Sequence, residues 1–467
     1  MGFFRNILFL IFGVSLLGYF WDIPFYGWLI LTYIFAIFSL LNFFDRFRYT
    51  LPYGEFIAFI FLIENALSVS IIYFLDNKNI EDIGRYYMQI PLNNYLPYGL
   101  MAVQAFLLGN TIIKRPDKIW INYINNLSSL INRKTIIYIF SLSIISFFLR
   151  FIHLDSIGFV CAILEDLGLC ALLGLYLYGK GKENNIYIIF GIIINIISAI
   201  NTGMFTGLAN FIIMIGIIYL TKTRNKNGKL NWFVITLILF VGVIVMAFMQ
   251  NLKWEYREKA WSGSGNQQNS ANFSSSFNNN FQKVDILNKD YYLPILYRTN
   301  QAWLVSCTME KVPIGQPFVY GETVISSFLD ALLPRVLNPD KQQAGGVTRI
   351  KKFTYLILMG TSMGIGYLGE SYVNFGIIGG IIFMGLLGVL FGFLEKKALI
   401  LSKKYPLILL AFPYYVMALM SSANDFFWMF NNLIMGSLII FIIIKYFTEI
   451  NKKYLKEEII NKTIKKV

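Results

Sequence analysis

Long apolar runs separated by short polar segments dominate this chain. Runs of about 18 residues or more are long enough to cross about 30 Å of hydrocarbon as a helix. We count twelve, at residues 3–20, 24–44, 52–75, 93–113, 135–153, 157–178, 186–201, 204–220, 231–250, 364–394, 405–420 and 431–448. The pattern predicts an all-α fold, a polytopic bundle of about twelve transmembrane helices. The run at 364–394 exceeds one crossing, and we expect it to be tilted or broken at its glycines.

A long polar segment interrupts this pattern after the ninth run and defines the predicted domains. The chain divides into a membrane bundle of about nine spans, a segment outside the membrane, the remaining spans and a basic tail, at residues 1–250, 251–354, 355–448 and 449–467. Within the exterior segment, 262–281 is polar and of low complexity, which predicts a flexible linker. The stretches 293–309 and 321–333 have helical apolar spacing, so we expect a small helical cap.

Composition and the placement of charge set the class and the orientation. The chain is 56% hydrophobic and 14% charged, which excludes a water-soluble domain. If the N-terminus is cytoplasmic, the loops and tails on its side contain 25 of the 40 Lys and Arg residues, and the short loops and helix edges on the other side contain three. This positive-inside pattern predicts that both termini are cytoplasmic. The net charge of +14 therefore reflects topology and anionic lipids, and we exclude nucleic acid as a partner.

Several unusual side chains meet where the exterior segment returns to the membrane. The candidate cations precede the run at 364–394 and are Arg335, Arg349, Lys351 and Lys352. The guanidinium group is a planar fork of donors that suits phosphate oxygens. Nearby glycines, Gly346 and Gly360 among them, let the backbone approach an anion closely. Glu370 and Asp425 are expected at a similar depth near the outer surface, so the region predicts a site for a lipid-borne diphosphate.

Other candidate chemistry is sparse. The chain has no Gly-rich nucleotide loop, no Cys or His pair at metal spacing and no Asp-x-Asp, so we expect neither a cofactor nor a metal. The single histidine, His153, is interpreted as structural. Glu64, Glu165 and Asp166 fall in the middle of predicted spans. They indicate either a proton or cation path or a set of carboxylates satisfied by neighbouring helices, and the sequence leaves both readings open.

The string SMGIGYLGESYVNFGIIGGIIFMGLLG at 362–388, preceded by LLPRVLNPDK at 332–341, resembles the Wzy family of O-antigen and oligosaccharide-repeat polymerases. The overall plan is also similar, with about a dozen spans, inner termini and one long periplasmic loop late in the chain. Some members carry Arg-x10-Gly patterns in periplasmic loops. The pairs Arg335–Gly346 and Arg349–Gly360 match that spacing, although here both fall in one loop and in those members they fall in two.

The resemblance implies a metal-independent glycosyltransferase that polymerises undecaprenyl-diphosphate-linked oligosaccharides at the periplasmic face of the bacterial inner membrane. The product would be O-antigen, capsular polysaccharide or exopolysaccharide, and a chain-length regulator and a flippase are implied partners. The candidate diphosphate-binding residues are Arg335, Arg349, Gly346 and Gly360, with Lys351, Lys352 and Arg298 as secondary candidates. Glu370 or Asp425 is the candidate base for the acceptor hydroxyl. Because outer-surface cations contribute little to folding, Arg335→Ala or Arg349→Ala is expected to abolish polymer at nearly normal protein level.

Two alternatives use related chemistry. An O-antigen ligase resembles this plan but typically needs a histidine in the long periplasmic loop, and residues 251–354 contain none. A flippase for the same lipid-linked sugar belongs to a different class, whose members tend to show two related halves and sites near mid-bilayer. We detect no repeat, but the mid-span carboxylates Glu64 and Asp166 keep this alternative open.

Overall fold

The computed structural model describes residues 2–47, 50, 52–75, 87–116, 118–150, 158–178, 183–202, 216, 232–261, 270–333, 338, 341–342, 346–357 and 363–464. Helices make up 83% of the structure, and no strand occurs in the described ranges. The α-helices, in chain order, are α1 Gly2–Phe20, α2 Phe25–Phe47, α3 Tyr53–Leu62, α4 Ser68–Leu75, α5 Leu92–Ile112, α6 Lys118–Asn125, α7 Leu127–Leu130, α8 Arg133–Arg150, α9 Gly158–Tyr178, α10 Glu183–Thr202, α11 Trp232–Trp261, α12 Ser270–Gln282, α13 Leu293–Thr299, α14 Ala302–Lys311, α15 Glu322–Leu332, α16 Val347–Phe353, α17 Gly366–Leu401, α18 Leu407–Leu419, α19 Phe426–Asn431 and α20 Ser437–Ile464.

Seven helical stretches in the described residues are long and apolar enough to cross a membrane. They are Phe3–Phe20, Phe25–Phe47, Tyr53–Leu75, Gly158–Tyr178, Phe233–Glu258, Gly366–Leu401 and Phe426–Glu457. Two of them contain π-helical turns, Ile63–Leu67 and Asn432–Gly436. The all-α prediction is confirmed, and these helices agree with a membrane protein. The count of about twelve spans and the cytoplasmic position of the termini remain predictions, and the run at 204–220 lies outside the described residues apart from Gly216.

The chain forms two compact units. The first contains residues Met1–Asp117, Leu296–Leu401 and Tyr415–Phe441, and the second contains Lys118–Ile295, Ser402–Tyr414 and Ile442–Val467. Helices α5 and α17 form the centre of the first unit and pack with their backbones in contact. A side chain at Gly109 would meet the carbonyl oxygen of Gly385, and a side chain at Gly388 would meet that of Phe106. Small residues permit this close packing, which is typical of helices in membranes.

Helix α17 is broken at Gly376, as the glycine-rich run predicted. Gly376 has φ +68° and ψ −164°, a conformation that glycine adopts without the penalty that a Cβ brings. The break separates a short first section, 366–375, from the long remainder of the span. The short section is almost completely buried and carries Glu370 and Asn374 into the interior of the first unit.

A group of buried charges joins several helix ends in the first unit. This Arg115 cluster consists of Arg46, Glu55, Arg115 and Glu395. Arg115 donates to Glu55 at 2.5 Å and to Glu395, and Arg46 lies 2.9 Å from Glu55. Burial alone would lower the pKa of Arg115, but the adjacent carboxylates of Glu395 and Glu55 raise it above its usual value. The guanidinium therefore stays charged, and two cations balance two carboxylates.

The second unit corrects the linker prediction over part of its length. Residues 262–269 lie outside the described part of the chain, but residues 270–281 belong to helix α12, which packs on α11. Phe273 and Phe277 pack against Tyr256 and Phe248, with ring centroids 5.8 Å and 5.4 Å apart respectively. These two phenylalanines are four residues apart, so they share one face of a helix, and that spacing supplies an apolar contact within an otherwise polar sequence.

Candidate functional site

Three of the predicted site residues meet in the interior of the first unit. Arg349, Glu370 and Asp425, called the Arg349 cluster, have 3%, 0% and 3% of their surface exposed. Arg349 Nη1 donates to Glu370 Oε1 and lies 3.7 Å from Asp425 Oδ2. One guanidinium thus faces two carboxylates, one within the membrane-length stretch Gly366–Leu401 and one directly before the stretch Phe426–Glu457.

The backbone conformation at Gly346 positions Arg349. Gly346 precedes helix α16 with φ +65°, and a Cβ there would lie 2.5 Å from the Cα of Gly364. A Cβ at Gly364 would in turn lie 2.9 Å from the carbonyl oxygen of Ala423. Glycine is therefore required at 346 for the start of α16 to pack against Met363 and Gly364, and at 364 for that segment to pack against the turn that precedes Asp425. The predicted role of Gly346 in anion binding remains a proposal, but its structural role is clear.

Neutral groups complete the surroundings of Arg349. Its Nη2 donates to Ser327 Oγ at 2.5 Å and to Gln342 Oε1 at 2.9 Å. Asn374, one turn after Glu370, donates to Thr323 Oγ1 at 2.7 Å and so ties α17 to α15. Arg349 Nε has no hydrogen-bond partner among the described residues. The guanidinium is therefore held in place but retains one free donor.

The two carboxylates are held differently. Glu370 Oε1 accepts from the backbone N–H of Phe426 at 3.4 Å, and its Oε2 is buried without a hydrogen-bond partner among the described residues. Asp425 caps helix α19, because its Oδ1 accepts from the backbone N–H of Trp428 at 2.7 Å. Asp425 thus caps a helix through one of its oxygens, whereas Glu370 has one oxygen that makes no hydrogen bond to the described residues.

The burial of Arg349 corrects one expectation. We expected an outer-surface cation whose removal would hardly affect folding, but Arg349 is 3% exposed and is ion-paired. Removing one partner of a buried ion pair leaves an uncompensated charge, which costs about 3–5 kcal/mol. An alanine at this position therefore affects stability as well as any binding function.

The other predicted residues occupy different surroundings. Arg335 and Gly360 lie outside the described residues. Lys351 and Lys352 are exposed, and Lys352 Nζ lies 3.2 Å from Glu322 on the surface. Arg298 is exposed and interacts electrostatically with Glu64 rather than with the Arg349 cluster.

Glu64 is held by the same turn that carries Asp425. It lies in the π-helical turn Ile63–Leu67, and its Oε2 accepts from the backbone N–H of Ser422 at 2.6 Å. Its carbonyl oxygen accepts from the backbone N–H of Gln301 at 2.7 Å. The structure therefore places Glu64 in a hydrogen-bonded setting within the bundle. Glu165 and Asp166 lie on α9 in the second unit, and His153 lies outside the described residues.

Sequence analysis missed the neutral partners Ser327, Gln342 and Thr323. One signal was present, because Thr323, Ser327 and Ala331 recur every four residues and form a stripe of small side chains along α15. It also missed Lys341, whose Nζ donates to Leu333 O and to Asn431 Oδ1, both at 2.9 Å. Such a lysine, 7% exposed, has no local sequence signature.

The arrangement has definite chemical capacities. A buried carboxylate with a free oxygen can accept a proton or a hydroxyl hydrogen bond, and a guanidinium beside it can stabilise a developing phosphate anion.

The fold and the cluster together define an all-helical membrane protein with a charged site between a broken span and the start of another. The sequence profile of the O-antigen polysaccharide polymerase Wzy family matches residues 156–454. The chain belongs to that family.

Family membership confirms the resemblance seen in the sequence. Members are bacterial integral membrane proteins and polymerising glycosyltransferases that act on lipid-linked oligosaccharide repeat units. All three residues of the Arg349 cluster lie inside the matched range, whereas Glu64 and three of the four Arg115-cluster residues lie before it. No curated protein and no solved structure matches the chain significantly.

Proposed function

We propose that this protein polymerises oligosaccharide repeat units carried on undecaprenyl diphosphate, at the periplasmic face of the inner membrane and without a metal ion. Family membership supports the reaction type. The observation that carries the assignment to a site is the Arg349 cluster, in which a buried guanidinium, a carboxylate with a free oxygen and a second carboxylate meet. The proposal includes a chain-length regulator and a flippase as partners.

The chemistry assigns complementary roles to Arg349 and Glu370. The acceptor hydroxyl gives its proton to the free oxygen of Glu370 as its oxygen bonds to the anomeric carbon of the donor. The bond from that carbon to the diphosphate breaks, and undecaprenyl diphosphate leaves with the electron pair. Protonation weakens the hold of Glu370 on Arg349 while negative charge grows on the leaving group. The guanidinium can then transfer its electrostatic support to the diphosphate, assisted by Arg335.

Asp425 has a positioning role in this proposal. Its bond to the N-terminus of α19 fixes the turn 421–425, and its other oxygen faces Arg349 at 3.7 Å. It therefore keeps the guanidinium oriented when the Glu370 contact weakens.

The test uses purified protein in proteoliposomes, with one lipid-linked repeat unit as both donor and acceptor. Glu370→Gln preserves the side-chain shape but removes the base, and we expect polymer formation to fall about a hundredfold or more. Glu395→Gln is the matched control, because Glu395 is also buried on α17 and paired with an arginine. It should polymerise normally per folded molecule.

Equal polymer formation in the two variants would contradict the site assignment. The absence of any lipid A core acceptor separates polymerase from ligase, because a ligase forms no product under these conditions. Transfer of the lipid-linked sugar across the vesicle without polymer would instead indicate the flippase alternative.

A further inference from the structure

Helix α15 has its polarity inverted relative to a helix on a water-exposed surface. Its buried face consists of Thr323, Ser327 and Ala331, spaced four residues apart. Its opposite face is exposed and apolar, and comprises Ile325, Phe328, Leu329, Leu332 and the adjoining Leu333, which are 44–60% exposed. A helix that lies on a protein surface in water turns its apolar stripe towards the core.

The buried polar face is used by the candidate site, so the orientation of α15 is specified by its contacts. Ser327 Oγ accepts from Arg349 at 2.5 Å, and Thr323 Oγ1 accepts from Asn374 at 2.7 Å. Rotating the helix to cover the leucines would break both contacts and leave Arg349 with fewer acceptors. The exposed apolar face is therefore a consequence of these contacts. Whatever surrounds α15 must be compatible with exposed apolar side chains.

The neighbouring membrane-length helix shows what those surroundings are. Helix α15 packs on α19, the start of the span Phe426–Glu457, with the rings of Phe328 and Phe430 at 5.5 Å between centroids. That span exposes Leu438 and Phe441, which are 56% and 45% exposed. It also exposes Trp428, a residue type common at membrane interfaces. The apolar face of α15 thus continues the lipid-facing side of an adjacent span.

An exposed ion pair marks the first turn of α15, whereas Asp330 and Lys341, near its other end, are at least partly buried. Glu322, at its first position, is exposed and pairs with Lys352 at 3.2 Å, whereas the leucines lie at the other end. Asp330 is partly buried, and its carboxylate accepts from Asn338 and from the backbone N–H of Gln342 at 3.3 Å and 3.4 Å. Eleven residues extend about 16 Å at 1.5 Å per residue, which is half of a membrane crossing.

We propose that α15 lies within the outer half of the hydrocarbon layer and that its exposed face contacts the acyl chains of the bilayer. The sequence pattern had assigned this helix to a cap outside the membrane. A re-entrant position explains both the inverted polarity and the polar first turn, because lipid favours apolar side chains outside and polar groups satisfied within the protein. A second copy of this chain or an aqueous cap would explain the apolar face less well, since neither accounts for its continuity with the span.

This position has a consequence for the reaction, which rests on the proposed function. In this position one helix separates Arg349 from the acyl chains, so a lipid-linked diphosphate would approach the Arg349 cluster from the membrane side, its hydrocarbon tail remaining in lipid.

The test measures the environment of α15 by spin labelling in proteoliposomes of phosphatidylethanolamine and phosphatidylglycerol. Single cysteines at Ile325, Leu329 and Leu332 carry the label, after Cys161, Cys170 and Cys307 are replaced by Ala. Native thiols are poor competitors in any case, since all three are buried. Burial, together with Glu310, raises the pKa of Cys307 to about 12. Control labels at Leu438 and Leu287 represent lipid and water respectively, and Leu287 is 97% exposed in a polar connection.

We expect labels on α15 to collide several-fold more often with oxygen than with a water-soluble nickel chelate, as at Leu438. Chelate access equal to that at Leu287 would place the face in water and overturn the proposal. Low access to both reagents would also overturn it, and dipolar broadening would then identify a second copy as the cover. Polymer formation is not measured, so a failure here is distinct from a failure of the proposed function.

Discussion

Helix α17 carries two buried arginine–carboxylate clusters with opposite character. Glu370 joins Arg349 in the short section before the break at Gly376, and Glu395 joins Arg115 in the long section after it. In the Arg115 cluster, two cations and two carboxylates are balanced and come from separate helices or the segments beside them. In the Arg349 cluster one cation faces two carboxylates. The neutral side chains of Ser327 and Gln342 accept hydrogen bonds from its Nη2.

The difference indicates different tasks for the same pair of residue types. A balanced cluster between helix ends is suited to holding those ends together, although a buried ion pair by itself is weak evidence of a large stabilising effect. A cluster with one excess carboxylate beside a broken helix can exchange a proton and release its cation to a ligand. Burial and ion pairing alone do not distinguish the two clusters, and the reactive role that we propose for the Arg349 cluster rests on its charge balance and the surrounding backbone.

The largest expected effect comes from Arg349→Ala. We expect polymer formation in proteoliposomes to fall at least about a hundredfold, because the developing diphosphate loses its guanidinium. The free energy of unfolding should also fall by about 3–5 kcal/mol, because Glu370 and Asp425 remain buried without a cation. Arg349→Lys should restore stability more fully than polymer formation, since lysine keeps the charge and loses the planar fork. Wild-type activity in Arg349→Ala would show that the Arg349 cluster is purely structural, as we propose for the Arg115 cluster.

Arg115→Ala is the counterpart in the Arg115 cluster. It leaves Glu395 buried without a cation and Glu55 with Arg46 alone, so unfolding in detergent should become easier by about 3–5 kcal/mol, with a corresponding loss of protein in the membrane. Polymer formed per folded molecule should change less than about twofold, because Arg115 does not touch the proposed site. A large loss of specific activity at normal stability would show that the two clusters are coupled through α17.

A smaller effect is expected for Gly346→Ala. The left-handed conformation and the contact with Gly364 make any side chain unfavourable, at a cost of about 1–3 kcal/mol. Because α16 would shift, Arg349 should be misplaced and polymer yield should fall. Gly13→Ala is a suitable control, since a Cβ there meets no atom within 4 Å. Similar thermal unfolding and similar polymer yield in both variants would mean that α16 tolerates the change.

The smallest effects are expected for Lys351→Ala and Lys352→Ala. Both side chains are exposed, and an exposed ion pair such as Lys352–Glu322 contributes only about 0–1 kcal/mol. Chain-length distributions on gels should match those of the unmodified protein. If either variant loses polymer as Arg349→Ala does, the diphosphate-binding region extends to the surface and the Arg349 cluster is only one part of it.

Sequence alone determined the class of fold, and it selected three residues that the structure brings together, Arg349, Glu370 and Asp425. Apolar runs of membrane length predict helices, because a chain in hydrocarbon must satisfy its backbone hydrogen bonds internally. The crowded glycines of the 364–394 run predicted the break now seen at Gly376. Arg349, Glu370 and Asp425 could be selected as candidates because ionisable residues beside apolar runs are costly and therefore informative.

Only the tertiary structure decided how these residues are arranged. Ser327, Gln342 and Asp425 reach Arg349 from separate parts of the chain, and such pairings depend on how helices pack, which local patterns do not encode. For the same reason the sequence wrongly placed Arg349 on the outer surface, and the membrane position that we propose for α15 differs from the cap that the sequence predicted. An amphipathic stripe shows that a helix has two faces, but whether the apolar face meets protein core, water or lipid depends on what the polar face binds.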